Sequence, residues 1–172
     1  YNLAPQMCVI ADRDRAVALG GVMGGAASQV SEATTDLLIE SAEFDPLSIR
    51  SAARLLNLHS PSSYRFERGV DPEGVDWASR RCCQLILETA GGQLAPGVVD
   101  VVGRPAPTRE AIVLRFSQLK RILGIDVDPQ RVGQILRALG NHQVRADARQ
   151  VEVVAPSWRR DLTREIDLVE EV

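Results

Sequence analysis

Short apolar runs at residues 7–11 and 16–19 flank the polar tetrad Asp12-Arg13-Asp14-Arg15, a pattern that predicts a β-hairpin. A third, mostly apolar run at 37–42 (LLIESA) suits a buried strand. Asp45-Pro46 then opens a helix, with an oxygen acceptor at the N-cap and proline in the first turn. Ile49, Ala52, Ala53 and Leu56 follow at i, i+3, i+4 and i+7. Asp71-Pro72 repeats that start signal. Val75, Ala78, Cys82, Leu85, Ile86 and Thr89 mark one face of a second helix, which runs to Gly91-Gly92. Residues 98–102 read as a strand, and residues 60–72, polar and aperiodic, read as a loop.

The later pattern predicts a strand over 111–114, helices over 117–123 and 129–139, and a two-stranded wing from 143–146 and 151–154. A last helix is expected from about Leu162. Asp128 is the expected cap of the 129–139 helix, whose buried stripe is Val132, Ile135, Leu136 and Leu139. The segment Gly103–Thr108, with Pro105 and Pro107, is the best internal boundary, since paired prolines oppose both helix and ladder. The expected fold class is therefore α+β (mixed α/β) in two small domains. The second is winged-helix-like in topology.

Composition is that of a globular protein: 172 residues, 45% hydrophobic, 25% charged, net charge −3. No apolar run is long enough to span a membrane. Residues 1–107 carry net −4 and residues 108–172 net +1. The second figure offers little phosphate attraction for DNA, even if Arg131, Arg137, Arg145 and Arg149 share a face. Three cysteines without a C-x-x-C are read as reduced, partly buried thiols of a cytoplasmic protein. Both ends look cut, the first residue being Tyr and the last helical pattern lacking a cap.

Candidate chemistry sits in four places. The cluster Gly20–Gly25 lacks the spacing of a nucleotide loop, and is either a close-approach wall of a pocket or plain turn chemistry. Glu40 ends an apolar run, where a carboxylate is either buried and in need of a donor, or turned to solvent or an arginine. Arg65, Glu67 and Arg68 are either a binding loop or an ion-pair knot. Asp167, Glu170 and Glu171 share one arc of the last helix, with Asp161 just before it. They suit either a hard cation or a solvated face neutralised by Arg159, Arg160 and Arg164. On one continuous helix Asp161 and Glu170 would stand about 13 Å apart, too far for one shell. No nucleophile–base set is apparent around His59 or His142.

Four strings, RAVALGGVMGG, LLIESAEFDPLSIR, SSYRFERGVDP and VVAPSWRRDLTREIDLVEEV, in this order, resemble the bacterial phenylalanyl-tRNA synthetase β chain across essentially the whole sequence. The resemblance implies an internal fragment: residues 1–105 as the later part of the B3/B4 editing domain and 106–172 as the B5 domain with its last helix truncated. It implies a class II ligase that joins phenylalanine to tRNA(Phe) with ATP and Mg²⁺ as an (αβ)₂ assembly, ATP being bound outside this fragment. The B3/B4 module would hydrolyse tyrosine mistakenly attached to that tRNA. Glu40 then matches the glutamate that accepts a bond from the tyrosine phenol, with Gly21, Gly24, Ser60 and Ser62 as the other pocket residues. Asp161, Asp167, Glu170 and Glu171 match carboxylates that bind Mg²⁺ in a site shared with the α subunit. Pro61 and Ser62 depart from the acidic residue and alanine common in that family, and a pocket histidine of the family would lie upstream of residue 1. The alternative implied is a non-catalytic RNA-binding or assembly module, inactive as an isolated fragment.

Overall fold

A computed structural model of the chain describes residues 1–103 and 108–172. These divide into two compact units, 1–98 and 99–172. The expected boundary between 105 and 106 lies outside the described residues.

The first unit begins with the predicted hairpin, β1 (Val9–Ala11) against β2 (Ala16–Leu19). Its turn is held by Asp12, whose Oδ1 accepts from the backbone N–H groups of Asp14 and Arg15, each at 2.8 Å. The short β3 (Met23–Gly24) returns antiparallel on β2. Helix α1 (Pro46–Leu56) starts where Asp45 accepts from Ser48 N at 2.8 Å, and it stops at Asn57, which is left-handed with φ 50°. Its buried residues are Ile49, Ala52 and Ala53, three of the four that periodicity selects.

The expected loop at 60–72 contains a helix, α2 (Pro61–Phe66). Ser60 and Ser63 cap it reciprocally: each side-chain oxygen accepts from the other's backbone N–H, at 3.0 and 2.9 Å. Three factors outweigh the missing apolar period: that box, proline in the first turn, and burial of Ser63 and half-burial of Phe66. Met7, Leu19, Val22, Ile49 and Ala52 form the core, with Phe44 and Phe66 packed against it edge-to-face at 5.0 Å.

Three expectations between residues 37 and 102 fail. Residues 37–42 form no strand: Leu38 is fully exposed, and the segment pairs with neither sheet. Residues 98–102 are likewise not a strand and are exposed throughout. An apolar run becomes a strand only where a ladder partner takes up its N–H and C=O groups. Helix α3 (Gly74–Ala90) forms but starts after Glu73, which makes no side-chain cap bond, rather than at Asp71-Pro72, and none of its residues is buried, so its expected apolar face meets no core among the described residues.

The second unit follows its pattern closely. Strand β4 (Ile112–Arg115) pairs antiparallel with β6 (Gln150–Val154), which pairs in turn with β5 (His142–Ala146). Helices α4 (Phe116–Leu123), α5 (Pro129–Ala138) and α6 (Glu165–Glu171) complete it. Asp128 caps α5, and of the expected stripe Val132 and Leu136 are buried, Ile135 is half-buried and Leu139 is exposed at the frayed end. The core joins both faces of that pattern: Leu114, Val151 and Val153 from the sheet, Leu119, Leu136 and Leu168 from the helices. Mixed helices and small antiparallel sheets make the fold α+β, as the pattern implies. No helix among the described residues is long and apolar enough to cross a membrane.

Candidate functional site

The glycine cluster makes the turn between β2 and β3. Val22 N bonds to Leu19 O at 3.0 Å, and Gly21 takes the third position of that turn with φ +66°, where an L side chain is strained. A β-carbon on Gly21 would also stand 2.9 Å from both Ile49 Cδ1 and Phe44 Cδ2. Gly24 is the opposite case: nothing lies within 4 Å of its missing side chain. Turn chemistry and close approach are therefore both present, on different residues. The N–H groups of Gly20, Val22 and Gly25 all bond within the fold, which disfavours an anion loop.

That open side belongs to a cleft of about 650 Å³, within the usual range for small-molecule sites. Gly20–Gly24 form one wall, Glu40–Ala42 and Phe44 another, and Ser62, Phe66, Asp71 and α3 residues through Trp77 and Ala78 the rest. Two hydrogen bonds set these walls. Ser60 Oγ donates to Val22 O at 2.6 Å, tying α2 to the glycine turn, and Ser41 Oγ donates to Val75 O at 2.8 Å, tying the Glu40 segment to α3. Of the expected pocket residues, Gly21, Gly24, Glu40 and Ser62 line the cleft, whereas Ser60 lies behind it as a cap and tether. Glu40 is exposed, so the buried-strand reason for its interest does not hold; its place beside the glycine wall does. Trp77, which periodicity passed over, also faces this cleft; a large aromatic off the apolar stripe was the available signal.

Arg68 forms the expected knot with Glu67 at 2.6 Å and lies 3.6 Å over the Tyr64 ring, but Arg65 has no ion pair in it. Cys8, Cys82 and Cys83 are free thiols, with only Cys83 half-buried.

In the second unit α6 starts at Glu165, later than Leu162, so Asp161 is not on it. The chain folds back, and Arg159 grips two carboxylates at once. It reaches Asp161 with Nε and Nη2 at 3.0 and 2.7 Å, and Glu171 with Nη1 and Nη2 at 2.9 and 2.5 Å. Those bonds hold both carboxyls below their ordinary range and raise the Arg159 guanidinium. Asp167 turns onto the helix start, where its Oδ2 accepts from the N–H groups of Thr163 and Arg164 at 3.0 and 2.8 Å, which lowers its pKa. Glu170 is exposed. Of the four residues matched to a metal site, Asp161 and Glu171 thus meet on one guanidinium and Glu170 is exposed, and among the described residues no three His, Cys, Asp or Glu side chains group as a metal site. A guanidinium and backbone amides already occupy three of the four carboxylates, so the arrangement within this chain does not fit a cation. Glu165, unremarked in the sequence, accepts from Arg115 N, Nε and Nη2 and fastens α6 to the end of β4.

The chain is thus an α+β unit with a backbone-walled cleft, joined in sequence to a second α+β unit with arginine-clamped carboxylates. The chain belongs to the B3/4 domain family, whose model matches residues 1–91; residues 112–172 match the tRNA synthetase B5 domain. It is similar over its whole length to the phenylalanine–tRNA ligase beta subunit of Rhodopirellula baltica, at 56% identity over 172 residues, covering 100% of this chain and 25% of that protein. The beta subunits of Moorella thermoacetica and Thermotoga maritima are 47% and 43% identical, with 99% and 100% of this chain and 21% of each relative covered. The chain thus spans between a fifth and a quarter of the length of the curated relatives it matches.

Proposed function

We propose that the cleft of the first unit receives the tyrosyl group of tRNA(Phe) mischarged with tyrosine and directs its hydrolysis, as part of a phenylalanine–tRNA ligase. The supporting observation is that Glu40 and the bare backbone of Gly21–Gly24 line the same cleft. Glycine lets a planar ring lie against the main chain, and the carboxylate accepts the phenol O–H. A hydrogen bond to a charged group is worth about 1.5–3 kcal/mol, hence roughly 10- to 100-fold in preference. A phenylalanyl ring offers no donor and strips water from the carboxylate without replacing it. Glu40 is exposed when the cleft is empty, so the entering ring itself supplies that desolvation. Among the described residues no Cys or His lines the cleft, and the reading assigns hydrolysis to a water positioned beside the terminal ribose hydroxyls.

The whole enzyme would charge tRNA(Phe) with phenylalanine using ATP and Mg²⁺ together with an α subunit, the second unit helping to position subunit or RNA. No step runs through Mg²⁺ on Asp161, Asp167, Glu170 and Glu171. A second reading, a non-catalytic assembly module, draws on the exposed apolar residues Leu37, Leu38 and those at 98–102. Deacylation of Tyr-tRNA(Phe) and Phe-tRNA(Phe) by the intact synthetase separates the two. Glu40→Ala, which removes the acceptor, should reduce the Tyr/Phe discrimination by about 10- to 100-fold; unchanged discrimination would reject the pocket role and leave the assembly reading.

A further inference from the structure

We infer that Trp77 is the stacking platform for the terminal nucleobase of the acylated RNA, and that Arg81 meets the phosphate next to it. This rests on the editing reading above, since it is the ester of a nucleotide that must approach the cleft. Trp77 lies on the cleft wall, yet 70% of its surface is exposed, a large apolar area left at the rim of a polar-ended site. Its position four residues before Arg81 puts both side chains on one side of α3. The neighbouring stripe differs: Asp76 and Arg80 pair with each other at 2.8 Å. Arg81 has no ion-pair partner among the described residues and is exposed.

Charge sets the direction of approach. Among the described residues the cleft lining includes the carboxylates of Glu40 and Asp71 and no lysine or arginine, so its interior repels phosphate while accepting a phenol. A nucleotide whose amino-acid ring enters between Glu40 and the glycine wall must therefore leave its phosphate outside. The rim on α3 offers the two surfaces such a nucleotide needs, an aromatic face for the base and a cation for the backbone. Stacking does not read the base, which suits a 3′ end shared by all tRNAs.

The test uses the intact synthetase, with Tyr-tRNA(Phe) ending either in adenosine or in an abasic ribose. Trp77→Ala and Trp77→Leu should each raise KM for deacylation about ten-fold and leave kcat within about two-fold, while Trp77→Phe restores most of the loss. The abasic substrate should raise KM similarly with the unsubstituted enzyme and show no further rise with Trp77→Ala. Arg81→Gln should raise KM and flatten its salt dependence by about one unit of log–log slope. Additive effects of Trp77→Ala and the abasic end would overturn the stacking role, as would normal KM in Trp77→Leu, which keeps apolar bulk without a ring. Intact editing with unchanged KM in the Trp77 variants sinks this inference alone. Absence of Tyr-tRNA(Phe) deacylation, or its indifference to Glu40, sinks the pocket reading and this inference with it.

Discussion

Two glycines three residues apart should respond to alanine in opposite ways, and the difference can be worked from the turn they occupy. Gly21 has φ +66°, a conformation that costs an L side chain roughly 1–2 kcal/mol. Its new β-carbon would press to 2.9 Å on Ile49 Cδ1 and Phe44 Cδ2. Ile49 is 1% exposed at the centre of the core and cannot withdraw, so overpacking adds about 1–3 kcal/mol. Gly21→Ala should thus destabilise the first unit by about 2–5 kcal/mol, a large part of what a unit of this size possesses. Gly24→Ala meets nothing within 4 Å and should be neutral, or stabilising by up to about 1 kcal/mol. Because two units need not unfold together, the assay is hydrogen exchange of α1 amides, which reports the first unit alone. Protection should fall about 30- to 5,000-fold in Gly21→Ala and hold in Gly24→Ala. Equal protection in both variants would refute the assignment of Gly21 to a strained, close-packed turn. Gly24→Leu extends the logic to function: its side chain enters the cleft rather than the core, so Tyr-tRNA(Phe) deacylation should fail while α1 protection stays.

Acid should loosen the second unit through its clamped carboxyls. Asp161, Asp167, Glu165 and Glu171 all titrate below their ordinary values of 3.8 for Asp and 4.5 for Glu. Their contribution is therefore complete above that range and lost as pH falls through the depressed values. Thermal melts followed by exchange in β6 should show Tm dropping below about pH 4, and Arg159→Met should flatten that drop by freeing Asp161 and Glu171. An unaltered acid slope in that variant would show the clamp to be energetically idle. Leu136→Ala removes a side chain 1% exposed among sheet and helix residues and should cost about 2–5 kcal/mol, measured by urea unfolding of the same unit.

Capping and periodicity were legible wherever the partner surface lay close in sequence. Asp45, Asp128, Ile49, Ala52, Val132 and Leu136 behave as their spacing requires, because a helix cap is satisfied within three residues and a stripe needs only one facing layer. The α2 helix was missed because its support is the Ser60–Ser63 box and its tether to Val22, not an apolar period. Residues 37–42 and 98–102 misled for the converse reason, since apolarity alone cannot supply the strand that must lie alongside.

The sequence by itself determined the α+β class, the helix starts at Pro46 and Pro129 and, through four ordered strings, the family likeness. Tertiary structure alone decided which atoms face one another. It put Glu40 in solvent at a glycine-walled cleft, moved Ser60 behind that cleft, and brought Trp77 to its rim. It also wrapped Asp161 and Glu171 around Arg159, one of the two arrangements their spacing had left open. The physical reason is that residue spacing fixes direction only within one element. Whether a carboxylate meets water, a cation or a guanidinium depends on how the chain turns between elements.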